Sequence, residues 1–536
     1  MVDQASPAKD RRQLYLRILD AGVFLTLAAL VLYTVSKHEP WADEADTWVE
    51  VRDLSWFRLV FSELRYDGHL PLWHSIVWIP LHLFHMPYDY FVFIGGVCAV
   101  AGLGVLVFLA PFPRILRYII ASSFFFIYQY AVVARPYVLM PLLGFLAAYF
   151  YRQGPARIIG FAVAVALLIQ DSSYAAVIGV GFSAFYGFQL AWKWKEIPHH
   201  ARKRVLLAAA LIAASLLFAF IVLCPKSDSS LISETTRYSL SQRLARFADG
   251  LTGAFGENTA AALPILILAA LWSILRRNWL LLVLTVGGSA FEYGFLRGFG
   301  HHQGLITIAF VVFLWAAWPR AEEISQMPHF PKALHQALLT VLLFTFGWQC
   351  TWSYQAIRGD CAGPYSGARD AAEYLKSVHA EKLGIGGYTF WAVGIQPYFS
   401  HNIFLNYGAP NSPALYHFSI DFEKRAGVLM QSEMEDGPPF IVFAPEMNPE
   451  QAAPMIEEFR SLNYVLVHYS DGTRFFKGLP GPHSPYFIFE RTEFLSLTQS
   501  SQFTPNAASA QRNRVRYASH ATTQDPDSHL PRADHR

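Results

Sequence analysis

Long uninterrupted apolar runs constrain this chain more than any other feature. Tyr90–Ala110 and Val205–Leu223 carry no charged residue, and Ala333–Trp352 carries none beyond a histidine. A run of roughly 20 apolar residues is long enough to cross the hydrocarbon core as a helix. Inside lipid no water is present to satisfy peptide groups, so each such run must bond its own backbone. The charged fraction is 15% against 53% hydrophobic, whereas soluble domains carry about 25% charged residues. The fold expected is therefore a polytopic α-helical membrane protein. A net charge of +2 with no basic domain gives no reason to expect a nucleic-acid partner.

The loop charges set an orientation. Lys9, Arg11, Arg12 and Arg17 precede the first span, Asp20–Ser36. The positive-inside tendency then makes residues 1–19 a cytoplasmic N-terminus and turns the 37–70 loop outward. The next apolar stretch, Leu70–Met86, contains three histidines and two internal prolines. If it crossed, Arg114, Arg117 and the basic run Lys193–Arg204 would all land outside. Read as re-entrant or interfacial, it puts every strongly basic loop inside. About eleven spans result, up to residue 355, and residues 225–258 form a long outer loop.

Composition changes to that of a soluble domain over residues 356–498. Ser366–Val378 reads as an amphipathic helix, Gly384–Tyr388 as a strand and Ala392–Phe399 as a helix. Phe440–Ala444 follows as a strand, Pro449–Leu462 as a helix and Tyr464–His468 as a strand, an alternation expected of a small α/β structure. The polar tail, residues 499–536, has the composition of a disordered segment. Of four cysteines, Cys98 and Cys224 read as small buried hydrophobes. Cys350 and Cys361 are either unpaired or joined in an oxidising compartment.

This topology gathers Asp43, Glu44, Asp46, Asp67, His69, Arg135, Asp171, Glu292, Arg297, His301 and His302 on one membrane face. Ionisable residues at such positions are costly and usually mark a site or pathway. The bland alternatives are specific. Asp43 and Glu44 suit a helix start, Arg135 suits snorkelling to headgroups, His69 suits a cap of the re-entrant segment, and Asp171 suits a helix N-cap.

The acidic pair after the first span, the run Asp67-Gly68-His69-Leu70-Pro71-Leu72 and Ala134-Arg135-Pro136-Tyr137 at a later helix end resemble the GT-C superfamily of membrane glycosyltransferases. Protein O-mannosyltransferases and lipid A aminoarabinose transferases belong to it. The segment Tyr365–Leu375 resembles the outer domain of its bacterial members. The resemblance implies an integral, multi-pass protein of a bacterial inner membrane, its C-terminal domain periplasmic or extracellular. It implies an inverting transfer of a monosaccharide from a polyprenyl-phosphate carrier to a hydroxyl of a lipid, glycan or protein acceptor, among membrane lipids. Asp43 matches the catalytic position and Glu44 is its neighbour. His69, Arg135, Tyr137, Asp171, Arg297, His301 and His302 are candidates for substrate and lipid-phosphate contact. Asp171 departs from the family, whose members place a histidine-containing turn there. No obligatory metal or other cofactor is expected, although a divalent ion stays open. Two other readings compete. A lipid-linked sugar flippase or secondary transporter calls for internal repeats and midplane charges, and no convincing repeat is visible. A scaffold binding a cell-wall partner leaves the one-sided acids and bases unexplained.

Overall fold

A computed structural model describes residues 7–230, 238–296, 298–427, 437–447 and 449–495. The expected disordered tail, residues 499–536, lies outside the described residues. The chain divides into two compact units. Of the described residues, one comprises those within 7–40, 54–365 and 473–481, and the other those within 41–53, 366–472 and 482–495.

The first unit is helical. Among the described residues, seven helices are long and apolar enough to cross a membrane, including Tyr88–Leu109, Ala201–Leu223 and His329–Ala362, and Gly154–Ile169 and Thr259–Leu275 are shorter apolar helices. Each apolar stretch read as a span is helical, although the third breaks at Ser123 into a helix, Arg114–Ser122, and a π-turn, Phe125–Gln129. The first helix starts at Pro7, well before the expected Asp20, so it continues through the N-terminal polar segment. Buried polar pairs pin the bundle. His38 Nδ1 lies 2.9 Å from Asp360 Oδ2, and the Tyr128 hydroxyl donates to the same carboxylate at 3.1 Å. These bonds tie the residues after the first helix to the end of the last.

The segment after the first span is a series of short helices: Ala42–Asp53, Trp56–Arg58, a π-turn over Leu59–Glu63, and Leu64–Asp67. Gly68 closes the last of them with φ +73°, a left-handed conformation that costs glycine little. Pro71 then occupies the first turn of Pro71–Phe84, where its missing N–H would have had no helical partner. That helix is about 21 Å long at 1.5 Å per residue, short of a hydrocarbon core of roughly 30 Å. Residues expected as outer loop before Asn258 contain a 14-residue helix, Leu240–Gly253, started by a Ser239/Gln242 capping box. Cys350 and Cys361 are free and lie on one continuous helix. Eleven residues along a helix is about 16 Å, far beyond the reach of a disulfide.

The second unit is built on a four-stranded sheet in the order β1-β2-β6-β3, with β1 Ile385–Tyr388, β2 Phe440–Phe443, β3 Tyr464–Ser470 and β6 Tyr486–Arg491. β1 and β2 are parallel, and β6 runs antiparallel to both neighbours. β2 is buried on both faces, and its period of two splits it between two cores. Phe440 and Val442 join the cluster containing Ile385, Leu375 and Ile488. Ile441 and Phe443 join Tyr388, Phe459 and Phe489. The expected helix at Ala392–Phe399 is a 3₁₀ segment, Phe390–Tyr398, with Pro397 inside. β6 and the hairpin strands β4 Thr473–Phe476 and β5 Leu479–His483 have no counterpart in the sequence reading.

The Trp41–Asp53 segment, expected as part of the 37–70 outer loop of the membrane domain, groups with this second unit. Asp46 accepts a hydrogen bond from the Tyr416 amide at 3.0 Å, and Asp53 one from the Ala414 amide at 2.8 Å. Arg52 donates to the Phe399 carbonyl at 2.6 Å. The Trp41 and Trp391 rings stack at 5.2 Å.

Candidate functional site

Within the helical unit, the backbone brings several cationic and hydroxyl side chains to interrupted helix ends. Arg135 adopts an extended conformation, φ −118° and ψ 164°, ahead of Pro136. A residue before proline is pushed out of the helical region in this way. Pro136 then opens the 3₁₀ turn that leads into Leu139–Arg152. Arg135 is therefore held at a break in the helices, with its guanidinium carbon 5.8 Å from the Tyr137 ring centre. Such a placement supplies positive charge without a helix having to carry it through lipid.

Tyr137 leads to the histidine pair. Its hydroxyl lies 3.0 Å from Nε2 of His302, and the Phe299 amide donates to Nδ1 of the same ring at 3.3 Å. Because Nδ1 accepts, the neutral ring carries its proton on Nε2 and donates to the tyrosine oxygen. His302 is buried, and the Tyr174 ring sits 5.1 Å from it. His301 is half-buried. Its ring is 4.2 Å from His302 and stacks on Phe299 at 5.8 Å. Tyr130 donates to the His301 carbonyl at 2.5 Å and fixes the turn.

The His69 segment lies in the same unit. Nε2 of His69 is 3.5 Å from Asp67 Oδ2, and its ring is 5.9 Å from that of the buried His74. The charges of His69, Asp67 and Arg135 all act on His74. Asp67 also acts on Glu63, which lies in the preceding π-turn. Burial, added to by Asp67, pushes the Glu63 carboxyl from its usual 4.5 up to about 7.

The structure thus joins Arg135, Tyr137, His301 and His302 through contacts, and places His69 where Arg135 shares its electrostatic surroundings. Asp171 stands apart. It is fully buried with neither carboxylate oxygen hydrogen-bonded among the described residues. No ring contact or ion pair links it to Arg135, Tyr137 or His302 among those residues. It is not the expected N-cap either. Ser172 caps Ser173–Trp192 by accepting from the Ala175 amide. Arg297 lies outside the described residues.

Asp43 and Glu44 occupy the first turn of Ala42–Asp53 in the second unit. They have different surroundings. Glu44 is fully buried, and its carboxylate accepts from the Trp41 amide at 3.2 Å, reaching back to an N–H that the helix leaves unmet. Asp43 is half-buried. Of the pair, Asp43 is the carboxylate with solvent access.

Several neighbours were not candidates from sequence. Tyr130 and Tyr174 are two tyrosines in an aromatic-rich chain, without local punctuation. The contact at Asp249, which accepts from the buried Tyr293 and Gln303 at 2.9 and 3.0 Å, depends on the unexpected Leu240–Gly253 helix. Glu292, already in the one-sided inventory, is buried with Ser173 as a hydrogen-bonding neighbour. Its charge acts on Tyr174.

No protein-family model and no curated protein matches this sequence. Among solved structures, the chain is similar to the crystal structure of ArnT from Cupriavidus metallidurans bound to undecaprenyl phosphate. The TM-score is 0.52 at 10% identity, covering 91% of this chain and 99% of that one. The likeness extends over nearly the whole of both chains, and at this identity it is a statement about fold. The expected fold class is borne out: by its helices the chain is a multi-pass α-helical membrane protein with a small α/β unit, and it shares the fold of that structure.

Proposed function

We propose that this protein is an inverting glycosyltransferase that moves a monosaccharide from a polyprenyl-phosphate carrier to an acceptor hydroxyl on the outer membrane face. The observation that carries the reading is the Arg135–Tyr137–His302–His301 cluster at interrupted helix ends, in a fold shared with a protein solved bound to undecaprenyl phosphate.

As the glycosidic C–O bond to phosphate breaks, negative charge grows on the departing lipid phosphate. Arg135 supplies a fixed positive charge there, and Tyr137 a hydroxyl proton for a phosphate oxygen. His302 holds Tyr137 in place through its Nε2–H, and His69 is a further donor to the carrier. Meanwhile the acceptor hydroxyl attacks the anomeric carbon from the opposite side and loses its proton. A carboxylate is needed to take it, and Asp43 is assigned that role, with Glu44 holding the helix start. Attack opposite the leaving group inverts the anomeric centre.

This reading requires no metal. Turnover is expected to persist in excess chelator, and a complete loss restored by a divalent ion would assign the site a metal. The direct test of function is mass spectrometry of cell-envelope lipids and glycans from a deletion strain beside the wild type. Loss of one glycosylated product with accumulation of a polyprenyl-phosphate sugar is expected. An unchanged envelope together with altered sidedness of a lipid-linked sugar would favour a flippase.

A further inference from the structure

The N-terminal half of the first helix contributes to a second charged site. A cavity of about 480 Å³ is lined by Arg17, Asp20, Phe108, Ala110, Arg114 and Arg117. Arg17 and Val35 are separated by about 27 Å along the helix at 1.5 Å per residue, close to the thickness of the hydrocarbon core. The cavity therefore lies about one hydrocarbon thickness along the first helix from Val35, in the N-terminal half of that helix.

Three arginines and one carboxylate line this cavity, and the arginines' hydrogen bonds are unevenly distributed. Asp20 is buried and takes Nε of Arg114 at 3.0 Å and the Tyr118 hydroxyl at 2.5 Å. Arg117 is committed to the backbone, donating to the Phe112 and Val107 carbonyls at 2.9 and 2.8 Å. Both terminal nitrogens of Arg114, and the whole guanidinium of Arg17, have no hydrogen-bond partner among the described residues. Donors of this kind, lining a cavity with excess positive charge, match a phosphate group. The Phe108 side chain and Ala110 give the same cavity an apolar wall at the end of the Phe91–Leu109 helix. A headgroup with its chains still attached fits such a site, where charge and apolar surface meet at one depth.

We propose that this cavity binds the phosphate headgroup of an anionic phospholipid. The site uses none of the residues assigned to sugar transfer and stands whether or not that reading holds. The test is native mass spectrometry of the purified full-length protein titrated with phosphatidylglycerol or with phosphatidylcholine of the same chain length. Wild-type protein is expected to retain phosphatidylglycerol in preference. Arg17→Gln, a change at an exposed side chain, is expected to reduce that preference about fivefold, and Arg17→Gln with Arg114→Gln to reduce it further. Inorganic phosphate in excess is expected to leave the lipid in place. Equal retention of the two lipids by the wild type would overturn the proposal, as would an undiminished preference in Arg17→Gln. Displacement of the lipid by inorganic phosphate alone would also overturn it, leaving a site for a free anion.

Discussion

Two adjacent pairs, Asp43/Glu44 in the α/β unit and His301/His302 in the helical unit, read alike in sequence and are resolved by different physics. In both, one member is buried and bonded while its neighbour is half-exposed. Backbone geometry makes the division in the acidic pair, because Glu44 meets an amide at the helix start. A side-chain network makes it in the histidine pair, because His302 is held between the Tyr137 hydroxyl and the Phe299 amide. Adjacency in sequence therefore conceals a division between a supporting residue and an accessible one. In the acidic pair the accessible member is the proposed base. In the histidine pair the supporting member orients the proposed phosphate donor.

The sharpest way to break this comparison is to exchange the acids. Asp43→Asn should lower turnover by about 10² to 10⁴, the usual worth of a positioned general base, with unchanged insertion and folding. Glu44→Ala should instead cost about 1–2 kcal/mol of stability through the lost helix-start bond, read as a lower midpoint in thermal unfolding. If Glu44→Gln rather than Asp43→Asn were inactive, the roles would be reversed.

The cationic cluster should yield smaller effects. Arg135→Gln should weaken donor binding by roughly 10- to 100-fold, the range of a charge-assisted hydrogen bond, measured as KM for the lipid-linked donor. An unchanged KM would leave Arg135 as a headgroup anchor. Tyr137→Phe removes one neutral donor and should cost only a few-fold in the same assay.

A last contrast concerns pH. The folded Glu63 carboxyl titrates at about 7 against an ordinary 4.5, so the folded state holds this proton more tightly than the unfolded chain. Its contribution to stability is then greatest below 4.5 and is lost as pH rises toward 7. Glu63→Gln should flatten that decline and raise stability at neutral pH by roughly 2 kcal/mol. Unfolding midpoints of the two proteins across that range, diverging only on the alkaline side, would confirm it. Parallel curves would reject it.

Much of the helical architecture was legible because apolar run length is a local signal. Tyr88–Leu109 and Ala201–Leu223 announce themselves from composition alone, and the turn at Arg135-Pro136 is dictated by proline sterics. Other features depend on distant partners. The Trp41–Asp53 segment reads as a polar loop because its anchors, Trp391, Ala414 and Tyr416, lie hundreds of residues away. β6 is fixed between β2 and β3 by long-range pairing. Among site candidates, Arg135, Tyr137 and the histidine pair carry local punctuation from proline or adjacency. Tyr130 and Tyr174 carry none and become visible only where the chain brings their rings and hydroxyls to the histidine turn.

The central claim is that the reaction consumes a polyprenyl-phosphate sugar and that Asp43 takes the acceptor proton. The most direct measurement supplies purified full-length protein, wild type and Asp43→Asn, with polyprenyl-phosphate sugars and envelope acceptors extracted from a deletion strain, and follows the lipid by chromatography. The wild type should release free polyprenyl phosphate in step with glycosylated acceptor, while Asp43→Asn, equally folded, should release almost none. Equal release by the two proteins, or acceptor glycosylation without release of polyprenyl phosphate, would contradict it.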